Sequence, residues 1–171
     1  ALDNHYHGVN KMICDRLKLT NTNILIPTKG KIKKLTTYVP VKNADELRNK
    51  LFEAGAGAIG NYDHCSFNIE GNGSFKPNQE ANPTIGKKGE IHFEEEIQIG
   101  LVFPTHMEAK VLKALIDNHP YEEVAYEVTT LNNEHQQQGM GMTGELPESM
   151  EEKEFLELVT ATFNTGCIRH S

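Results

Sequence analysis

Four stretches of the sequence combine residue types that could do chemistry. They are the glycine-rich residues 55–60 (GAGAIG), the polar residues 60–67 (GNYDHCSF), residues 119–123 (HPYEE) and the alternating Asp3, His5 and His7. The first spells the G-x-G-x-x-G turn of dinucleotide-binding proteins, with Glu80 further along the chain at the distance that motif requires. The other three carry side chains that bind metals, contact small ligands or pair an acid with a base.

The glycine-rich stretch stands in the wrong order for a dinucleotide site. Such a turn follows a strand and opens a helix, whose N-terminal N–H groups meet the pyrophosphate. Here the pattern predicts a helix before Gly55 and a strand after Gly60. We therefore interpret GAGAIG as a glycine-rich connection from a helix to a strand.

The stretch GNYDHCSF places a potential soft-metal pair, His64 and Cys65, beside the hard ligand Asp63. Neighbours along a strand point to opposite faces, so they rarely share one ion. A strand with a polar outer face is the favoured interpretation. A small-ligand or subunit contact through Asn61, Tyr62, His64 and Cys65 stays open.

The stretch HPYEE ends a predicted helix. A protonated His119 would interact favourably with the helix C-terminus, and Glu122 or Glu123 could orient it as an acid–base pair. The alternative is a helix end with a packed Tyr121. His119, Tyr121 and Glu122 are therefore candidates for a ligand or subunit contact.

Asp3, His5 and His7 offer a carboxylate and two imidazoles, which suit Zn, Fe, Mn or Ni. On an extended segment their alternate spacing would put them on one face. A segment at the chain end holds an ion poorly, however, because such segments are seldom tied down. A metal site made by these three residues alone is the less favoured interpretation.

Periodic apolar residues outline the elements that must position these stretches. They predict helices at 8–18, 43–54, 105–119 and 149–163, and strands at 23–26, 35–39, 62–69, 96–103 and 124–128. Three capping boxes predict helix starts, namely Asn43 with Glu46, Thr105 with Glu108, and Ser149 with Glu152. Residues 71–73 (GNG) predict a hairpin turn. Residues 76–90 read as a loop or irregular arm, and residues 132–147 as a polar linker.

The middle of the chain repeats itself. At one constant offset Pro40 matches Pro104, Leu47 matches Val111, and Leu51 matches Leu115. Two strand–helix–strand units in tandem predict an α+β fold, a ferredoxin-like duplicated βαβ domain with a β-hairpin arm. We place this middle domain at 34–131. The flanks at 1–33 and 132–171 then read as pieces of something else.

The chain has 171 residues, a net charge of −7 and three cysteines. Its acidic balance argues against a nucleic-acid-binding surface. Sparse cysteines suit reduced thiols in the cytoplasm, and no apolar run is long enough to span a membrane. We interpret the acidic run 94–96 as a solvated strand edge rather than as a cation site. Neither end of the sequence resembles a natural terminus, so we expect an excised piece of a longer protein.

Four longer motifs identify a family resemblance. They are L-D-x-x-x-x-G-V-N at 2–10, A-G-A-G-x-I-G-N-Y-x-x-C-S-F at 54–67, H-P-Y-E-E-V-A-Y at 119–126 and G-x-x-G-E-L-P at 141–147. Over nearly its whole length the chain resembles the dinuclear-metal-centre family often called GTP cyclohydrolase I type 2 homologues, or NGG-interacting-factor-three-like proteins. It is most similar to longer bacterial members with an inserted domain. Residues 34–131 match that insert, which is similar to CutA and PII-type signalling proteins.

The resemblance implies a longer parent protein that holds two divalent ions of the Zn, Fe, Mn or Ni type. It also implies that the flanks at 1–33 and 132–171 are partial segments of the α/β core domain that holds these ions. Asp3 falls on one ligand position of the family, whereas His5 and His7 do not, and the remaining ligands lie outside this chain. We therefore expect no metal bound to this piece alone and no activity by it alone. The resemblance also implies a trimer of the inserted domain and a hexamer of the parent, with the insert as a gate.

Two functions are therefore open. In the first, the inserted domain serves assembly, gating or small-ligand sensing. In the second, the chain is part of a metal-dependent hydrolase of the cyclohydrolase type, and its insert supplies substrate contacts.

Overall fold

The computed structural model describes residues 2–169, apart from the side chains of Leu2 and Gln136. Its helices and strands are α1 (Val9–Arg16), β1 (Thr20–Thr28), β2 (Ile32–Pro40), α2 (Ala44–Glu53), β3 (Phe67–Phe75), β4 (His92–Pro104), α3 (Glu108–Asn118), β5 (Tyr126–Leu131), β6 (His135–Glu145) and α4 (Glu152–Phe163). The chain divides into two compact units, one of residues 29–133 and one formed by the residues before and after that range. No helix in the described part is long and apolar enough to cross a membrane.

Residues 29–133 form a four-stranded sheet in the order β3-β4-β2-β5. Every neighbouring pair in it is antiparallel. Alternate residues of β4, Ile99, Leu101 and Phe103, are buried, as the period of a strand requires. They pack with buried residues of β2, α2 and α3, so one face of the sheet carries the core. The predicted α+β class with antiparallel sheets is confirmed.

The helices begin near the predicted positions but not by the predicted capping boxes. A turn of 3₁₀ helix, Val41–Asn43 or Thr105–Met107, leads directly into α2 or α3. Asn43 and Met107 already have near-helical backbone angles, whereas a capping residue is extended. Neither these residues nor Glu151, which precedes α4, makes a side-chain capping bond. All three capping boxes were therefore wrong.

The predicted hairpin turn at 71–73 was also wrong, because these residues lie inside β3. Gly71 pairs with Glu96 and Gly73 with Glu94 across the antiparallel β3–β4 ladder. A Cβ atom on Gly73 would lie 2.3 Å from Oε2 of Glu96, so this glycine permits a close approach of a side chain. β3 and β4 are instead joined by the irregular residues 76–91, which we call the arm.

The other unit contains a two-stranded antiparallel sheet of β1 and β6. The polar linker predicted at 132–147 was wrong, since most of it is β6. Its Gln, Gly and Met residues are weak local signals for a strand. Its partner stands far away in sequence, as the bond from Thr20 Oγ1 to the Glu145 carbonyl shows, with a separation of 125 residues. Local patterning could not reveal such a pairing.

Candidate functional site

A cavity of about 660 Å³ lies within the unit of residues 29–133. On one side it is lined by the sheet face opposite the core, where Tyr38, Ile69, Glu96 and Gln98 are exposed to it. These side chains alternate with the buried core residues of their strands. The other side is formed by the first part of the arm and by residues 121–123 and Ala125.

His119, which follows α3, anchors the HPYEE stretch to the sheet. It is 9% exposed. Its Nδ1 accepts a hydrogen bond from the Tyr121 backbone N–H at 3.1 Å, so its Nε2 carries the proton and donates to the Tyr38 carbonyl at 2.9 Å. Burial lowers the pKa of His119, against the opposing influence of that carbonyl and of Glu96. The imidazole is therefore a neutral structural group at physiological pH.

Tyr121 joins the same stretch to β4. Its hydroxyl donates a hydrogen bond of 2.7 Å to Oε1 of Glu96. Burial, that bond and the nearby carboxylates raise the pKa of Tyr121 well above its usual range, so the hydroxyl stays protonated. The ring packs against His119 and Phe75, with centroids 5.2 and 5.9 Å away. Tyr121 thus fixes one oxygen of a carboxylate that lines the cavity.

Two hydrogen bonds join the HPYEE stretch to the arm. Oε2 of Glu122 accepts a hydrogen bond from the Asn82 backbone N–H at 2.9 Å, and Thr84 Oγ1 donates to the Pro120 carbonyl at 2.8 Å. The suggested acid–base pair of His119 with Glu122 is not formed in this arrangement. Glu122 instead helps to dock the arm over the cavity.

The interpretation of residues 94–96 as a solvated edge was wrong. β4 lies between β3 and β2, so it is an interior strand. Glu94 Oε2 lies 2.8 Å from Nε2 of His92, and Glu96 bonds Tyr121. Sequence reasoning considered a cation site in this run but disfavoured it, and so did not assign Glu96 to a site. His92, Glu94, Glu96 and Gln98 fall at alternate positions of β4, so the period of a strand places them on one face of the sheet.

The stretch GNYDHCSF forms an exposed turn rather than the predicted strand, which begins only at Phe67. An isolated bridge joins Ile59 to Tyr62, and Tyr62 is 73% exposed. Cys65 Sγ donates locally to the Asp63 carbonyl at 3.7 Å, and the His64 ring packs on Phe52 with centroids 4.7 Å apart. The candidates Asn61, Tyr62, His64 and Cys65 are not among the residues that line the cavity.

The glycine-rich stretch follows α2, as predicted, and forms no phosphate cradle at a helix start. Gly57 has φ of +80°, and a Cβ on it would lie 2.7 Å from the Phe52 ring. Its N–H donates to the Val102 carbonyl at 2.7 Å, and its own carbonyl accepts from Cys65 N–H at 2.8 Å. Gly57 therefore connects the exposed turn to β4.

Asp3 lies in a short 3₁₀ helix, Leu2–Asn4, and is exposed. Its backbone carbonyl accepts a bond of 2.7 Å from Asn10 Nδ2, while His5 Nδ1 accepts one of 3.2 Å from the His7 N–H. Within residues 2–169 no group of three or more His, Cys, Asp or Glu side chains could hold a metal ion. The described residues alone do not fit a dinuclear centre.

The chain matches the family described as Duf34/NIF3 (NGG1p interacting factor 3) over residues 1–171. It is 42% identical over 163 residues to a protein of Halalkalibacterium halodurans named GTP cyclohydrolase 1 type 2 homolog, a match that covers 95% of this chain and 44% of the relative. A protein of Bacillus subtilis with the same name is 40% identical, with the same coverage of both chains.

Among solved structures, a Bacillus cereus protein related to NIF3 superposes with a TM-score of 0.81 at 39% identity, covering 97% of this chain and 44% of that one. The chain thus spans less than half the length of these relatives. A match along the whole chain, together with relatives at this level of identity, establishes that the chain belongs to the Duf34/NIF3 family.

Proposed function

We propose that residues 29–133 form an inserted ligand-sensing module of a longer, metal-binding protein. The observation that carries the proposal is the preformed cavity of about 660 Å³, which lies wholly within this unit. Cavities of this size, with mixed apolar and polar walls, are the usual form of small-molecule sites. The hydrogen bonds of His119, Tyr121 and Glu122 hold the walls in place without a ligand.

The topology supports an inserted domain. Ile32, at the start of β2, pairs with Leu131, at the end of β5, so the chain enters and leaves the sheet at adjacent positions. The strand order and the two helices on one face support a ferredoxin-like, CutA/PII-like duplicated βαβ unit. In this proposal the residues before and after the unit belong to a partial α/β core domain.

The arm supports a gating role. A ligand in the cavity would contact both the sheet and the arm, whose attachment to the HPYEE stretch rests on two exposed hydrogen bonds. The arm can be docked or undocked, and a ligand that contacts only the docked arm binds the docked state more tightly. Such a ligand shifts the equilibrium toward the docked state by that difference in affinity. Ligand binding would therefore stabilise the docked arm.

Self-association is part of the same proposal, as a trimer of the unit and a hexamer of the parent. Tyr62 and Phe67 are 73% and 72% exposed. Exposed apolar side chains grouped on one part of a surface support a contact with another chain. In this reading the turn at residues 60–67 serves assembly and the cavity serves ligand binding.

The second candidate function concerns the parent, as a metal-dependent hydrolase. It rests on the name GTP cyclohydrolase 1 type 2 homolog of the relatives. We propose that Asp3 supplies one ligand for two divalent ions of the Zn, Fe, Mn or Ni type, and that the other ligands come from the rest of the parent. The piece alone would then bind no metal stoichiometrically.

The free thiols of the chain, Cys14, Cys65 and Cys167, support a reducing, cytoplasmic compartment.

A thermal-shift screen of the chain against divalent metals, nucleotides, amines and organic acids tests the sensing module. A cavity ligand at a hundred times its Kd should stabilise the folded state by about 2.7 kcal/mol. The variant Ala125→Phe, which fills the cavity, should abolish that shift. Thr129→Phe, which lies on β5 outside the cavity, is the matched control and should keep it.

Two results would contradict the proposal. One is a shift that Ala125→Phe leaves intact. The other is stoichiometric metal retained by the chain after dialysis, measured by elemental analysis, which would show that the piece has a metal centre of its own.

A further inference from the structure

We propose that the cavity selects a small organic cation, with an ammonium or guanidinium group bound at the Glu96 carboxylate and an apolar body against the neighbouring walls. This inference rests on the proposed ligand-sensing function and names the chemical class of the ligand. Three features of the cavity carry it, namely its charge, the orientation of one carboxylate and the composition of its walls.

The charge of the cavity favours a cation. Its lining includes four glutamates, Glu70, Glu96, Glu122 and Glu123, against one lysine, Lys76. Tyr121 adds no charge, since its pKa is held above its usual range. Charges of one sign that line a low-dielectric cleft concentrate ligands of the opposite sign. A phosphate or carboxylate ligand would meet net repulsion.

The carboxylate of Glu96 is oriented for such a ligand. Tyr121 fixes Oε1 by a bond of 2.7 Å, which leaves Oε2 with no hydrogen bond to any side chain in the described part of the protein. This oxygen lies over Gly73, where even a methyl group would come within 2.3 Å. A carboxylate held at one oxygen can accept a charge-assisted bond at the other without losing further conformational freedom.

The remaining walls of the cavity suit the uncharged, apolar part of such a ligand. Apolar and aromatic side chains also line the cavity, namely Tyr38, Ile69, Phe75, Pro77, Pro83 and Ile85. Aromatic faces also attract cations, by about 0.5–2 kcal/mol. An inorganic ion would leave these walls without a partner, so the walls favour an organic cation over a metal ion.

The same walls argue against a nucleotide in this cavity. The described residues that line it come from strands, the arm and residues 121–125, and none comes from a helix. The N–H groups of a helix N-terminus, which commonly hold phosphates, are therefore not available there. Lys76 alone would have to balance both the phosphates and the four glutamates.

The test uses three probes with the same ring and nearly the same length, which are phenethylammonium, phenethyl alcohol and hydrocinnamate. Calorimetric titration of the chain at low salt should show the cation binding at least tenfold more tightly than the alcohol, and hydrocinnamate more weakly than both. Glu96→Gln keeps an acceptor for Tyr121 but removes the charge, so it should weaken cation binding about tenfold. Glu95→Gln, on the opposite face of β4, is the matched control and should change nothing.

A second variant keeps the test decisive if Glu96→Gln folds poorly. Gln98 lines the cavity on the same face as Glu96, so Gln98→Lys places a competing cation beside the carboxylate. It should abolish phenethylammonium binding and improve hydrocinnamate binding.

Equal affinities of the cation and the alcohol, or equal effects of Glu95→Gln and Glu96→Gln, would overturn the inference. If the alcohol or the anion binds best and Ala125→Phe blocks it, the sensing cavity stands and only its charge selectivity is refuted. If none of the probes binds at millimolar concentration, the cation preference is refuted, and the broader screen then decides the sensing function.

Discussion

The two polar stretches of the middle unit, residues 60–67 and 119–123, look equally suited to chemistry in sequence but differ in structure. The first forms an exposed turn whose side-chain hydrogen bonds are short-range, such as that of Cys65 to Asp63, two residues away. The second makes long-range bonds, from His119 to Tyr38, 81 residues away, and from Glu122 to Asn82, 40 residues away. Only the second stretch contributes side chains to the cavity.

This difference teaches that residue types alone do not make a site. A His, a Tyr and a Glu become parts of a defined cavity when separate strands and the arm supply their partners. The same types on a locally bonded turn stay solvated, where hydrogen bonds to water compete with those inside the protein. Matched substitutions in the two stretches can therefore test the comparison.

The largest effect should come from the glycine that attaches the exposed turn. Gly57→Ala forces a side chain into a left-handed backbone and against Phe52, so it should lower the free energy of unfolding by about 2–5 kcal/mol. Gly71→Ala, whose Cβ would meet nothing within 4 Å, is the control. Urea unfolding measures both. Equal losses for the two variants would show that the turn is not fixed through Gly57.

The next effect separates the two histidines. His119→Gln disturbs two bonds of a buried imidazole and should cost about 1–3 kcal/mol in the free energy of unfolding. His64→Gln, on the exposed turn, should cost less than about 0.5 kcal/mol. If the two variants cost the same amount, the contrast between the stretches is wrong.

The pH dependence of stability should also distinguish His119 from His64. The pKa of His119 is lowered in the folded protein from its ordinary 6.5. As pH falls below 6.5, the unfolded chain gains a proton that the folded protein accepts only at lower pH, so stability decreases. Unfolding measured from pH 7.5 downwards should show this decrease in the wild type and in His64→Gln. A decrease of the same size in His119→Gln would assign it to other groups.

The smallest effect concerns the tyrosines. Tyr121→Phe removes the bond to Glu96 and should cost about 1 kcal/mol, because the cavity lets water replace the lost partner. Tyr62→Phe, at a residue 73% exposed, should be close to neutral. Thermal unfolding compares the two. A neutral Tyr121→Phe would show that this hydroxyl does not hold the carboxylate.

Sequence reasoning found the helices and the core strands because their apolar residues recur with a clear period. Leu47 and Leu51 of α2, and Val111 and Leu115 of α3, are all buried as their spacing indicates. It failed at β3 and β6, where glycine and amide side chains fit a turn or linker as well as a strand. There the pairing with a distant strand decides the structure.

The candidate site was predicted in part. His119, Tyr121 and Glu122 were singled out from their types, but their partners Tyr38, Glu96 and Asn82 were not. Those partners depend on the register of β2 and β4 and on the path of the arm, which no local pattern encodes. The acidic run 94–96 was misread for the same reason. Its residue types do not distinguish an interior strand from an edge strand.

The pairing of Ile32 with Leu131 has a consequence for the order of folding. Without the middle unit folded, pairing β1 with β6 must close a loop of roughly a hundred residues. Once β2 and β5 are paired, the loop still to be closed contains only a few residues on each side. The entropic cost of closing the loop then falls by about 2 kcal/mol. The four-stranded sheet thus shortens the loop that the pairing of β1 with β6 must close. We therefore expect this sheet to fold before β1 and β6 pair.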